Sequence, residues 1–203
     1  MSPQPINTQD TAACAAAYTS TLGWQIAPGH RHRPRSGCTC GEPGSCPGSG
    51  AHPLPGPLTP TPASGLIDEL EALPGAALIA PTLPFDALVL PKWSGLFVVT
   101  WLDRNGKAMP CLLQGEDRAV LLVLPATGRY ALPELEESRP STVEVQSGPD
   151  QWVALPPSHG ARWDPPPWHE QTHQPLPLLH GKDLLLPLTE ALRVTSEPSG
   201  AQL

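Results

Sequence analysis

The sequence predicts an α+β domain, a mixed sheet flanked by helices, with one long loop inserted near its start. Three observations carry this. Helix-like and strand-like segments alternate early, and several strand-like segments then follow one another. The 203 residues include 29 prolines, yet aliphatic runs lie between them, so short ordered elements joined by stiff connections are expected rather than disorder. No internal repeat stands out, and the length suits one domain with its own core. The predicted limits are a flexible tail over 1–8, a domain over 9–194 and a second tail over 195–203.

Asp10 is placed to cap a first helix over Thr11–Leu22, with Cys14, Tyr18 and Leu22 on one face and Gly23 as its stop. WQIAP, Trp24–Pro28, reads as a short strand. Residues 29–62 are a Pro/Gly/His/Cys loop without periodicity, a length that calls for a reason. SGLIDELEALPG predicts a helix with Ser64 as its cap, ending near Pro74. AALIAP and FDALVLP read as two buried strands separated at Thr82–Pro84. SGLFVVTWLD fits both period 2 and period 3.6, and Asn105-Gly106 marks a turn. CLLQG, RAVLLVLP, STVEVQ and QWVALPPS read as strands, and acid-rich PELEESRP as a solvated turn or short helix. Residues 164–180 are a Pro/His-rich loop, and the two tryptophans of WDPPPWHEQTHQ, Trp163–Gln174, are expected to lie back on the core. KDLLLPLTEALRV predicts a last short helix.

The net charge is −7, from 12 basic and 19 acidic residues. A dedicated nucleic-acid binder gains most of its affinity from phosphate neutralisation, so this balance argues against tight autonomous DNA binding. The one basic cluster, HRHRPR over His30–Arg35, reads as a solvated loop or a local phosphate contact. No apolar run reaches the ~18–20 residues of a membrane helix, and no charged n-region precedes an apolar segment at the N-terminus. The expectation is a cytoplasmic protein that does not enter a membrane.

CTCGEPGSCPGSGAHP, within a loop spanning 36–54, carries the strongest chemical signal. Cys38, Cys40, Cys46 and His52 form a C-x-C-x5-C-x5-H set, and Cys3His suits a tetrahedral structural zinc ion. Glycines at 41, 44, 48 and 50 let the backbone wrap an ion closely. Disulfides fit poorly, since a reducing compartment disfavours them and three cysteines leave one odd. A redox pair would be C-x-x-C at a helix start. An accidental cluster stays open as the alternative, because the spacing is not that of a standard finger. All four donors come from one loop and close the ion's coordination, so the predicted role is structural. Cys14 and Cys111 sit in apolar contexts and read as core residues.

In order along the chain, AAYTSTLGWQIAP, the cysteine loop, FDALVLP, RAVLLVLP and WVALPPSHGARW resemble the N-terminal domain of bifunctional DNA primase/polymerases, the prim-pol fold of phage and plasmid replication proteins. The resemblance covers most of residues 11–165. It implies a prim-pol-like sheet and a nucleotidyltransferase ancestry, in which carboxylates hold two divalent ions, Mg2+ or Mn2+, at the growing primer. In the register it implies, Val89 and Pro91 stand at the acidic positions and Ala119 at the histidine position. Glu144 stands for the third carboxylate, after a one-residue length change. One acid of three cannot hold two metal ions, so no catalytic residue is assigned. Arg118, Ser158 and His159 are left as candidate nucleotide or phosphate contacts.

These observations lead to a degenerate primase/polymerase-like protein that acts by binding a nucleotide, nucleic acid or protein partner in DNA replication. One alternative is an active primer-synthesising enzyme, should Asp86, Asp103, Glu116, Asp117 and Glu144 converge. Another is a zinc-stabilised adaptor without a nucleic-acid role. No G-x-x-x-x-G-K-[ST] motif is present, so no helicase half is expected here.

Overall fold

The computed structural model describes residues 6, 8–33, 37–42, 46, 51–133 and 140–196. Both predicted tails, apart from residues 6, 8, 195 and 196, lie outside this set, as do Gly44, Gly48, Gly50, Arg35 and most of PELEESRP.

The chain opens with α1, Thr11–Ala16, continued by a π-helical turn over Ala17–Thr21. Asp10 caps it as predicted, its Oδ1 accepting from Ala12 N at 2.9 Å and Ala13 N at 3.1 Å. Three short strands follow: β1 Ala27–Gly29, β2 His32–Arg33 and β3 Gly37–Cys38. α2, Ala63–Ala72, begins one residue before Ser64; Pro62 takes the cap position and no side chain caps it. A proline there costs nothing, because the first amides of a helix have no intrahelical acceptor.

AALIAP and FDALVLP are not two strands. They join in β4, Ala77–Pro91, a single 15-residue strand. Its register against β7, Glu144–Leu155, shifts between Pro81 and Thr82 and again between Thr82 and Ala87. Pro81 and Pro84 therefore sit where the ladder is interrupted and their missing N–H groups are not needed. STVEVQ and QWVALPPS likewise belong largely to the one strand β7. The ambiguous SGLFVVTWLD forms α3, Lys92–Arg104, which buries Gly95, Val98 and Leu102 at helical spacing.

The Asn105-Gly106 turn leads to β5, Cys111–Gln114, and β6, Arg118–Val123. β8, Ala161–Trp163, was hidden in the sequence by its length of three residues. The chain ends in a 3-10 turn, Gly181–Leu184, and α4, Leu185–Ser196.

The sheet is antiparallel and curled, in the order β1-β4-β6-β5-β8, with β7 on β4. β7 lines one edge of β4, while β1 and β6 share the other, opposite its first and second halves. The mixed sheet expected from the sequence is thus corrected to an antiparallel one. On one face, Tyr18, Trp24, Leu66, Phe85, Val89, Leu112, Val120 and Trp168 form the first core. On the other, α3 and α4 cover Leu88, Leu90, Ala119 and Leu121. Among the described residues, no helix is long and apolar enough to cross a membrane.

The tryptophans of the Trp163–Gln174 stretch do lie back on the core. Trp163 Nε1 donates to Tyr18 Oη at 2.9 Å, Tyr18 Oη donates to Pro156 O at 2.9 Å, and Trp168 is buried beside them. Burial drives the Tyr18 hydroxyl well above its ordinary pKa, so it stays a neutral donor.

At the other end of the sheet Gly181 meets Thr127 so closely that an added Cβ would lie 1.9 Å from the Thr127 carbonyl oxygen. Gly181→Ala is expected to lower stability by about 2–3 kcal/mol, the scale of forced overpacking. Urea unfolding followed by circular dichroism reads this as a lower midpoint at unchanged slope.

Candidate metal centre

The loop with the cysteines starts where β1 ends. An added Cβ at Gly29 would lie 2.6 Å from both the His52 carbonyl oxygen and Ile79 Cγ1, so only glycine lets the returning chain cross β1 here. His30 N then donates to His52 O at 2.8 Å, which fastens the far end of the loop to its beginning. β2 and β3 form a small ribbon in which His32 faces Cys38 and Arg33 faces Gly37. The ribbon presents Cys38, and the following turn, with Gly41 at φ +74°, brings Cys40 N to within 3.5 Å of Cys38 Sγ.

The ligand atoms of Cys38, Cys40, Cys46 and His52 all lie within 4.8 Å of one another. A zinc tetrahedron with bonds of ~2.3 Å has edges of about 3.8 Å, so the set closes on an ion with movements of about one ångström. The three cysteines are half-buried, His52 is buried, and none is in a disulfide. His52 is held in the form a metal needs. Its Nδ1 lies 3.0 Å from the Pro53 carbonyl, which can only accept, so the proton sits on Nδ1. Nε2, 3.3 Å from Cys38 Sγ, is left with its lone pair facing the cluster. The cluster can hold a metal ion, and its sulfur-rich donor set is one that zinc takes.

Two neighbours that the sequence pattern did not reveal support these ligands. The His30 ring lies 4.7 Å from that of His52, and its Nδ1 lies 3.0 Å from Thr39 Oγ1. Thr39 Oγ1 also accepts from Arg31 N at 3.1 Å. Desolvation, and then the neighbouring His52, lower the His30 pKa. No spacing rule would have marked either residue, because both are set by the cross-ribbon register.

The other candidate residues are distributed differently. Ser158 is buried, and its hydroxyl is taken up by β4, accepting from Leu78 N at 2.8 Å. The polar turn thus works as a strand lock and does not hold Ser158 open to a phosphate. His159 is exposed and stacks on His32, with ring centroids 4.0 Å apart, so it joins this turn to the metal ribbon. Gly115 N donates to Gly160 O at 2.8 Å, which places the turn leading to Arg118 beside the one bearing His159. Arg118 is exposed and lies opposite Pro91.

The five acids considered for catalysis do not gather. Among the described residues, the Cys3His group is the one set of three or more His, Cys, Asp or Glu side chains whose ligand atoms converge. Asp86 is buried and spent on structure: it accepts from Ala126 N at 3.0 Å, Gly128 N at 2.7 Å and Ser147 Oγ at 2.7 Å. Glu144 is exposed at the start of β7, opposite Val89, and accepts from Gln146 Nε2. Ala119 requires a correction of register. It packs against Gly95 of α3, on the face of the sheet opposite to Val89, so it cannot share a site with the residues at 89 and 91.

Without an ion, desolvation pushes the Cys38 thiol up to about 11; the Cys40 backbone amide draws it down, and the side chains of Cys40 and Cys46 add to the rise. Loading must then displace thiol protons, so affinity falls as pH falls. Competition with a chromogenic chelator between pH 6 and 8 is expected to show at least about a tenfold loss of metal affinity per pH unit lowered. An affinity independent of pH would exclude thiolate ligation. Asp86→Ala leaves three donors unpaired and is expected to cost about 3 kcal/mol of stability while metal content stays the same. Thermal unfolding beside elemental analysis checks both.

Compared with family models, with curated proteins and with solved structures, the chain finds no match in any of the three.

Proposed function

We propose that this protein is a catalytically silent relative of the primase/polymerase domains, clamped by a structural zinc ion. It acts in DNA replication by binding a nucleotide, a nucleic acid or a protein partner. The observation that carries the reading is the placement of three strands. FDALVLP lies on β4, between RAVLLVLP on β6 and the STVEVQ part of β7, and Val89 is paired with Val120 on one side and Glu144 on the other. The strands that the resemblance assigns to the acids and the histidine are thus neighbours, although position 119 itself faces the other side of the sheet from 89 and 91. What stands on them is valine, proline and one glutamate.

The corrected face sharpens the assignment of the basic contact. Residues opposite one another in an antiparallel pair share a face. Arg118, opposite Pro91, is therefore the residue of β6 placed to meet a phosphate beside positions 89 and 91. With the acids gone, a cation at this end would bind and not react. The net charge of −7 favours a second reading, a zinc-stabilised adaptor that touches no nucleic acid.

Two measurements test the proposal. Elemental analysis of the purified protein should give about one zinc per chain, and Cys40→Ser less than about a tenth of that, since three ligands do not close the tetrahedron. Primer extension with manganese and deoxynucleotides should yield no product, while single-stranded DNA is retained at low salt and released as salt rises. Product that disappears in Glu144→Ala would establish an active enzyme. Absence of retention, for nucleotide and DNA alike, would favour the adaptor.

A further inference from the structure

The five cysteines of the chain fall into two kinds. Cys14 and Cys111 are buried in the two cores, each at 0% exposure, so an oxidant reaches them only when the fold opens. Cys38, Cys40 and Cys46 are half-buried and free of disulfides, and their sulfurs lie within 4.8 Å of one another and of the His52 donor. Cys38 stands between the other two, its thiol in hydrogen-bond contact with the side chains of both Cys40 and Cys46. The far end of the loop is tied to β1 by His30 N on His52 O and by a bridge between Gly29 and Pro53. Among the described residues, no helix or strand forms between Cys40 and Ala51. The conformation of this stretch therefore depends on its four donors.

We propose that the cluster is a redox-sensitive clamp, in which oxidation by a peroxide joins Cys38 to Cys46 and releases the ion. The inference rests on the zinc reading above and adds its regulation. A bound metal keeps the sulfurs as thiolates, the form that attacks an oxidant. One thiolate attacks a peroxide oxygen, the O–O bond breaks, and a sulfenic acid and a hydroxide result. The second thiolate attacks that sulfur, the S–S bond forms, and a second hydroxide leaves. The two sulfurs give up two electrons, the peroxide takes them, and both hydroxides are protonated to water. Cys40 is the poorer partner for Cys38, because a bridge between residues two apart closes a strained ring, whereas seven residues separate Cys38 from Cys46. The bridge leaves Cys40 and His52 as donors, half of the set a structural zinc ion takes. The ribbon that presents Cys38 also carries His32, whose ring stacks on His159, so the switch stands next to the end of the sheet at which binding is proposed.

Hydrogen peroxide in small excess over the full chain, purified under reducing conditions and loaded with zinc, tests this. A chromogenic chelator present throughout is expected to collect about nine-tenths of the zinc after peroxide and less than about a tenth without it. Mass spectrometry should show a loss of about 2 Da, and digestion should place the bridge between Cys38 and Cys46. Cys14 and Cys111 should remain thiols that an alkylating reagent modifies only after denaturation. Dithiothreitol and added zinc should restore the starting mass and metal content. Zinc that stays bound through peroxide treatment would overturn the switch and leave the clamp standing. Release accompanied by added oxygen atoms and no bridge, or a bridge through Cys14 or Cys111, would overturn it as well. A reduced chain that takes up no zinc would overturn the clamp and the switch together.

Discussion

Pro81 and Pro84 each withhold a backbone donor from a strand that has neighbours on both edges, and the rest of the domain is arranged around how β4 accommodates them. The ladder to β7 breaks at Thr82, whose hydroxyl donates to Gly148 O at 3.0 Å across the gap. Before the break, Ala77–Ile79 pair with β1; after it, Asp86–Pro91 pair with β6. One strand therefore belongs to two environments. Its first half carries the metal ribbon, because β1 leads directly into it and Ile79 lies beneath Gly29. Its second half is the floor on which α3 and α4 rest. The curl of the sheet follows, since an interrupted ladder bends and twists more than a regular one.

Asp86 stands just beyond that break and holds the second half to its surroundings. Its carboxylate collects two backbone amides from residues 126–128 and a hydroxyl from β7, and Gly128 packs onto its Cβ. A carboxylate accepting three hydrogen bonds is well solvated by the protein itself, which is why an acid is tolerated here in place of an aliphatic residue. The same fact removes it from chemistry. A ligand to a catalytic ion must have lone pairs to give, and three of the roughly four that Asp86 offers are engaged.

Patterns that depend on neighbouring residues were legible in the sequence. The Asp10 cap, the turn at Asn105-Gly106 and the four metal donors are local in this sense, and the structure places each as the spacing suggests. What was not legible depends on partners distant in the chain. Thr82–Pro84 looks like a break between strands because proline usually ends one, and only β7 on the other edge makes it a bend. α3 was ambiguous until its Gly95 found Ala119, a contact across 24 positions that no window of sequence contains. Ser158 stood as a candidate phosphate contact, yet β4 occupies its hydroxyl.

The correction at Ala119 bears on what kind of degeneracy the proposed reading describes. Were position 119 the only departure, or were Val89 the only lost acid, a single substitution would come close to restoring a site. The structure argues otherwise. Val89 is packed with Ala87, Leu112, Val120 and Leu122 in the first core, so the face that would have to hold ions is filled by aliphatic side chains from three strands. An aspartate placed at 89 would lie among them without a cation or a donor, and burial would favour its protonated form. Glu144, exposed and directly opposite position 89, could not share an ion with a neutral acid. The apolar character of this face is therefore a property of the packing as a whole. What remains exposed at this end of the sheet is Arg118, Pro91 and Glu144, and the proposed phosphate contact would rest on these alone.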